Sequence, residues 1–128
     1  MTRIDLPWPP SINHYWRRVG AKTLISLEGR AYRIAVGKVW LLAKERPING
    51  RLKAEIWAFP PDRRARDLDN LLKATLDALQ HAGAYEDDAQ IDDLHILRGD
   101  PEKPGRLTVY LHPLIPPVGD RWALDNVS

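Results

Sequence analysis

Between Arg66 and Lys73 the chain reads Arg-Asp-Leu-Asp-Asn-Leu-Leu-Lys, and a second acidic run, Glu86-Asp87-Asp88, follows further along. Asp67 and Asp69 are separated by one apolar residue, so in an extended or turn conformation their side chains can share a side. Lys73 lies four residues beyond Asp69, one helical turn along the same face. Two or three carboxylates that converge without a thiolate suit a hard divalent cation, Mg2+ or Mn2+, which prefers carboxylate oxygens and shares the oxygens of a phosphate. Such an ion polarises a phosphoryl group toward attack by water. Asp67, Asp69 and Asp88 are therefore candidate metal ligands and, with Lys73, candidate catalytic residues. Asn70 and Asp87 are secondary candidates. Arg63, Arg64 and Arg66 stand just ahead of the motif as candidate contacts to flanking phosphates.

The same residues admit a reading without chemistry. Asp before a helix is a common N-cap, worth about 1 kcal/mol. Asp69 and Lys73 at i,i+4 can form a surface pair worth about 0.3–0.5 kcal/mol. Spacing alone does not separate the two readings.

Other chemistries find less support. The four histidines show no metal-ligand spacing. Neither a phosphate-binding Gly-Lys loop nor a dinucleotide glycine fingerprint occurs, so no nucleotide cofactor is expected. A serine nucleophile at Ser11 or Ser26 has no support in the sequence. A second basic stretch holds Asn13, Arg17 and Arg18, with Trp16 as a candidate stacking face for a nucleic-acid base; Asn13, Arg17 and Arg18 join the candidate DNA contacts. Trp8, Trp40 and Trp57 read as core or interface anchors.

The elements that must position these residues follow from periodicity. Thr2 to Leu6 alternates as a strand and is stopped by Pro7, Pro9 and Pro10. A polar and aromatic loop follows. Ser26 is an N-cap candidate for a helix over 27–45, with Leu27, Ala31, Ile34, Ala35 and Leu42 as its apolar stripe. Arg51 to Phe59 alternates, with Leu52, Ala54, Ile56 and Ala58 on one face. Apolar positions 68, 71, 72, 75, 76 and 79 predict a second helix over Asp69–Ala82, closed by Gly83. Ile91–Leu97 and Arg106–His112 read as a final hairpin. The order β-α-β-α-β-β predicts an α+β (α/β-like) single domain over 1–112, a mixed sheet covered by two helices. Residues 113–128 form a proline-rich C-terminal tail carrying Trp122.

Size and composition agree. The chain has 128 residues, 44% hydrophobic and 28% charged, enough for one domain with its own core. It has no cysteine, which excludes a disulfide scaffold, a thiol nucleophile and Cys-based metal sites. The longest strongly apolar run, Val39–Ala43, is far short of a membrane span, and the N-terminus lacks the apolar stretch of a signal peptide. No membrane association and a cytoplasmic location are the expectation. The net charge is only +2, but arginines and carboxylates are segregated along the chain.

Several motifs together resemble one family. Leu6-Pro7-Trp8-Pro9-Pro10-Ser11 with Asn13 and Tyr15, then Ser26-x-Glu28-Gly29-x-Ala31-Tyr32-Arg33, lead to Pro61-Asp62-Arg63-Arg64-x-Arg66-Asp67-Leu68-Asp69-Asn70-Leu71-x-Lys73-Ala74. Asp77-Ala78-Leu79, Ala82-Gly83 and Asp87-Asp88-Ala89-Gln90 complete the set. This combination, spread over about residues 4–111, resembles the RusA family of Holliday junction resolvases, homodimeric endodeoxyribonucleases of bacterial and prophage origin. The resemblance implies a Mg2+-dependent paired cut across a four-way DNA junction, in DNA recombination and repair. By motif position it implies Asp67, Asp69 and Asp88 as metal-binding carboxylates, Lys73 as the catalytic lysine and Arg66 as a DNA contact. Ala65 stands where a further arginine can occur, and the tail lies outside the resemblance. A two-fold dimer suits a nearly two-fold junction, since one gene product then supplies both cutting sites. A non-catalytic branched-DNA-binding module and a less selective metal-dependent branched-DNA nuclease are the alternative readings.

Overall fold

The computed structural model describes residues 1–114; most of the tail, with Trp122, lies outside the described residues. Its elements are β1 (Thr2–Pro7), α1 (Ile12–Tyr15), β2 (Trp16–Val19), β3 (Lys22–Ile25), α2 (Leu27–Ala43), β4 (Leu52–Phe59), α3 (Leu72–Ala82), β5 (Ile91–Arg98) and β6 (Arg106–Pro113). Short 3-10 turns, Leu68–Leu71 and Asp88–Gln90, precede α3 and β5.

The main sheet has the order β1-β6-β4-β5. It is mixed, as the element order predicts: β4 and β5 are parallel, joined through α3, while β6 is antiparallel to both β1 and β4. One expectation fails. β5 and β6 do not form a hairpin; β6 passes beyond β4 and inserts between it and β1. The reason lies in the buried rows. Val109 faces both Ile4 and Ile56, and Leu107 faces both Leu6 and Ala58. All of these side chains are buried on one face of the sheet, so β6 gains two apolar neighbours where a hairpin with β5 offers one. The connection over 99–105 is long enough to cross the end of β4, where Gly99 N donates to Ala58 O at 2.8 Å and Glu102 N to Pro60 O at 2.7 Å.

Two helices cover that face. Ser26 caps α2 as expected, its Oγ accepting from Gly29 N at 2.9 Å. The stripe that α2 buries is not the expected one. Gly29, Tyr32, Val36 and Trp40 face inward, and Leu27, Ile34 and Leu42 are exposed. Gly29 must face inward because a Cβ there would lie 2.4 Å from the carbonyl oxygen of Tyr15. Tyr32 buries its ring and satisfies its hydroxyl on Pro7 O at 2.8 Å. The helix ends at Ala43, two residues short of the expected limit, with Lys44 in the left-handed conformation.

α3 follows its predicted face more closely. Leu71, Ala74, Thr75, Ala78 and Leu79 are buried, Gly83 closes the helix at φ 93°, and the first predicted turn is 3-10. The segment read as a polar loop contains α1 and an antiparallel hairpin, β2–β3, turning at Gly20 (φ 61°). Tyr15 anchors it. Its hydroxyl donates to Asp77 of α3, and Arg33 of α2 donates to the same carboxylate at 2.8 Å. Burial and the Asp77 carboxylate push the Tyr15 phenol well above its usual range, so it stays a donor.

The parallel β4-α3-β5 crossover sets the geography of the site. The segment before α3 leaves the C-terminal end of β4; the segment after it enters the N-terminal end of β5. They lie at opposite ends of one helix of 11 residues, a rise of about 16 Å.

Candidate functional site

The end before α3 is built around Arg66. Its guanidinium donates to Asp62 Oδ1 at 2.7 Å and lies 5.8 Å from the Trp8 ring. Asp62 also accepts from Arg64 N at 2.9 Å, and Arg98, at the end of β5, donates to Arg66 O at 2.7 Å. The Arg66 hydrogen bond, helped by the Arg64 amide, holds the Asp62 carboxyl down to about 2. Proline-terminated β4 thus leads into a loop tied at both flanks. Arg63 and Arg64 project into solvent from it.

Asp67 and Asp69 follow, both exposed. Asp67 stands at the N-cap position of the 3-10 turn, but its side chain makes no capping hydrogen bond. Among the described residues Asp67, Asp69 and Lys73 take no side-chain hydrogen-bond or ion-pair partner, so neither the cap nor the i,i+4 pair is formed. A cleft of about 420 Å³ opens against this turn. Trp8 and Ser11, from the segment after β1, and Arg66, Asp67 and Asn70, from the segment before α3, line it.

Asp88 lies elsewhere. Its backbone N–H donates to Gln80 Oε1 at 3.0 Å, in the last turn of α3, and its carboxylate is exposed. Asp87 accepts from Ala89 N at 2.9 Å as the cap of the second 3-10 turn. Gln90 locks this end: its Oε1 accepts from Glu86 N and Asp87 N, and its Nε2 donates to Ile48 O and Gly50 O at 3.0 and 2.8 Å. Arg51, at the start of β4, donates to Ala89 O at 2.6 Å and to Asp92.

Within one chain, then, the candidates divide. Asp67, Asp69, Asn70, Lys73 and the three arginines gather before and at the start of α3, whereas Asp87 and Asp88 sit past its end. Among the described residues no three His, Cys, Asp or Glu side chains converge on a point that could hold a metal. Arg17 and Arg18 are exposed on β2, and Asn13 is exposed on α1; none of them lines the Asp67 cleft. Trp16 is already engaged, edge-on to Tyr15 at 5.1 Å and with the Arg33 guanidinium 5.9 Å from its ring.

Sequence reasoning missed two features here. Asp62 as the holder of Arg66 is visible as an i,i+4 carboxylate–arginine pair. Trp8 and Ser11 as cleft lining carry no local signal, because they follow β1, far from Asp67 in sequence, and meet it only through the sheet.

Comparison with known proteins agrees with the motifs. Residues 7–112 match the family described as Endodeoxyribonuclease RusA. The crossover junction endodeoxyribonuclease of Enterobacteria phage HK97 is 45% identical over 107 residues, covering 83% of this chain and 89% of the relative. That of Enterobacteria phage 82 is 44% identical, covering 84% and 91%. That of Escherichia coli K12 is 45% identical, again covering 84% and 91%.

Proposed function

Because this chain belongs to the RusA endodeoxyribonuclease family, we propose that it resolves four-way DNA junctions by paired, Mg2+-dependent phosphodiester hydrolysis, acting as a homodimer. The observation that carries the reading is the pair of exposed carboxylates, Asp67 and Asp69, left without partners beside a loop of oriented arginines. A structural role for these aspartates would have capped the turn or paired Lys73.

The donor set fits a hard cation in kind, since all candidate ligands are carboxylate oxygens. It does not fit within one chain, because α3 stands between Asp88 and the other two. A second copy related by a two-fold axis, with its α3 antiparallel, supplies Asp88 to Asp67 and Asp69 and receives the same in return. The dimer therefore does two things: it completes each site and it pairs the cuts. Bound between these carboxylates, Mg2+ (or Mn2+ in its place) supplies Lewis-acid polarisation of the scissile phosphoryl group.

The chain's own groups do the rest. Arg66, held by Asp62 and set against Trp8, presents remaining guanidinium N–H groups to a phosphate at a fixed angle. Arg63 and Arg64, both exposed and the latter with its guanidinium 3.7 Å from Asp62, neutralise neighbouring phosphates. Lys73, one turn after Asp69, stabilises the negative charge that builds as water attacks phosphorus and the P–O bond breaks. No described helix is long and apolar enough to cross a membrane.

The test is a panel of synthetic four-way junction, flap and linear duplex, incubated with Mg2+, Mn2+ or a chelator. Paired nicks in the junction alone, abolished by the chelator, are expected. Equal cutting of flaps makes the protein a general branched-DNA nuclease, and salt-sensitive binding with no cutting under either metal makes it a binding module.

A further inference from the structure

The cleft beside Asp67 has a wall that phosphate chemistry does not use. Phosphates and sugars are held by cations and hydrogen-bond donors. Here the lining that Asp67 shares includes Trp8, Ser11 and Asn70. At about 420 Å³ the cleft is in the size range of small-molecule pockets.

The Trp8 ring is held in place. Pro7 and Pro9 on either side restrict the backbone. Behind it Gly105, at φ 94°, comes so near that a Cβ there would lie 3.0 Å from Trp8 Cβ. Arg66 lies over the ring and is itself fixed by Asp62. A rigid aromatic face with a hydroxyl and a carboxamide within the same cleft is what a nucleobase needs: a surface to stack on, and polar groups to meet its edge.

Resting on the function proposed above, we propose that this cleft receives the nucleobase next to the cut phosphate, with Trp8 as its stacking wall and Ser11 and Asn70 contacting its edge. The occupant must be adjacent to the reacting phosphate because Asp67 forms part of the same cleft. A base at a branch point has already lost stacking on one side, so it enters at less cost than a base within a continuous duplex. The cleft thereby contributes to the choice of branched DNA and to base preference at the cut.

The test compares wild type, Trp8→Ala, Trp8→Phe, Ser11→Ala and Asn70→Ala on four-way junctions that carry each of the four bases, or an abasic site, beside the cut position. The abasic substrate should slow wild type about 10- to 100-fold, the scale of one lost base–aromatic stack. It should slow Trp8→Ala no further, and Trp8→Phe should recover most of the rate. Asn70→Ala and Ser11→Ala should flatten the preference among bases with junction binding retained. A second arm places 2-aminopurine at the same position and reads its fluorescence on binding, in chelator and without turnover. Wild type and Trp8→Phe should change the signal, and Trp8→Ala should not. If Trp8→Ala and the abasic site slow cutting by factors that multiply, or if the 2-aminopurine signal is the same with and without the indole, Trp8 is a structural pillar and the proposal fails. If wild type cuts no junction at all, the function proposed above fails, and the fluorescence arm still decides whether the cleft holds a base.

Discussion

The two ends of α3 carry the same kind of side chain and treat it differently. At the front, Asp62 is consumed by Arg66 while Asp67 and Asp69 are left without partners. At the rear, Asp87 caps a turn, Gln90 ties four backbone groups together, and the carboxylates of Glu86 and Asp88 are presented outward. Each end therefore spends one carboxylate on its own architecture and exposes others. The front is basic and the rear acidic, which suits DNA at one and a cation at the other. Neither end is a metal site alone. In the two-fold dimer proposed above, each end would meet its complement.

The sharpest way to break that comparison is to disable one end per chain. Asp69→Asn and Asp88→Asn should each lower junction cutting by at least about 10²–10³-fold, the scale of losing a charge-stabilising group. Both should still bind junction, because removing negative charge does not weaken attraction to phosphate. Mixed and allowed to exchange subunits, the two inactive proteins should regain roughly a quarter of the wild-type nicks. Half the dimers are then mixed, and each mixed dimer holds one intact site. No recovery in a mixture shown by mass to contain heterodimers would place Asp88 with Asp67 and Asp69 of its own chain or outside the site.

A smaller effect separates charge stabilisation from binding at the front end. Lys73→Gln should lower kcat by about 10²-fold with KM little changed, since the ammonium acts as charge builds in the transition state. An equal rise in KM would make Lys73 a phosphate anchor.

Binding measured against salt then compares the ends directly. Arg63→Gln and Arg64→Gln should each reduce the slope of log affinity against log salt by about 1. Glu86→Gln, an exposed carboxylate at the rear, should leave the slope unchanged. A reduced slope for Glu86→Gln would mean that DNA runs over the acidic end.

The last comparison concerns what holds each end. Gln90→Ala should destabilise the fold by about 1–2 kcal/mol in urea denaturation, because it strips caps and carbonyl partners from the rear. Asp62 acts through pH. Its carboxyl is held at about 2 when folded, against about 3.9 in an unfolded chain. A depressed carboxyl contributes stability that is present above the unfolded value and lost as pH falls through the folded one. The stability difference between wild type and Asp62→Asn should thus shrink between about pH 4 and pH 2. A carboxyl resonance of Asp62 titrating at its ordinary value would show that the Arg66 contact does not persist in solution.

Much of this was legible locally. Alternation in β1 and β4, the Ser26 cap, and the Gly83 stop are written in residue type and period, and each formed where the pattern put it. α2 was legible as a helix but not in its orientation. It carries apolar residues on two faces, and the choice went to the face where Gly29 permits contact with α1 and Tyr32 finds a carbonyl. The front half of the candidate site was legible too, because Asp67, Asp69, Arg66 and Lys73 lie within one turn-and-helix segment and local geometry brings them together.

The sequence by itself determined the main strands and the two long helices, though not α1 or the β2–β3 hairpin, and which residues carry the oxygen donors a hard ion takes, since period and donor type are local properties. Only the tertiary structure decided that β6 lies between β1 and β4, where it meets two buried rows. The sequence put Asp88 past the end of α3, and only the tertiary structure kept it there, tied to Gln80 and with no fold-back onto Asp67, and brought Trp8 to Asp67. Those outcomes depend on which edges of the sheet pair and on the parallel crossover, and a crossover separates the two ends of its helix by the helix's full length.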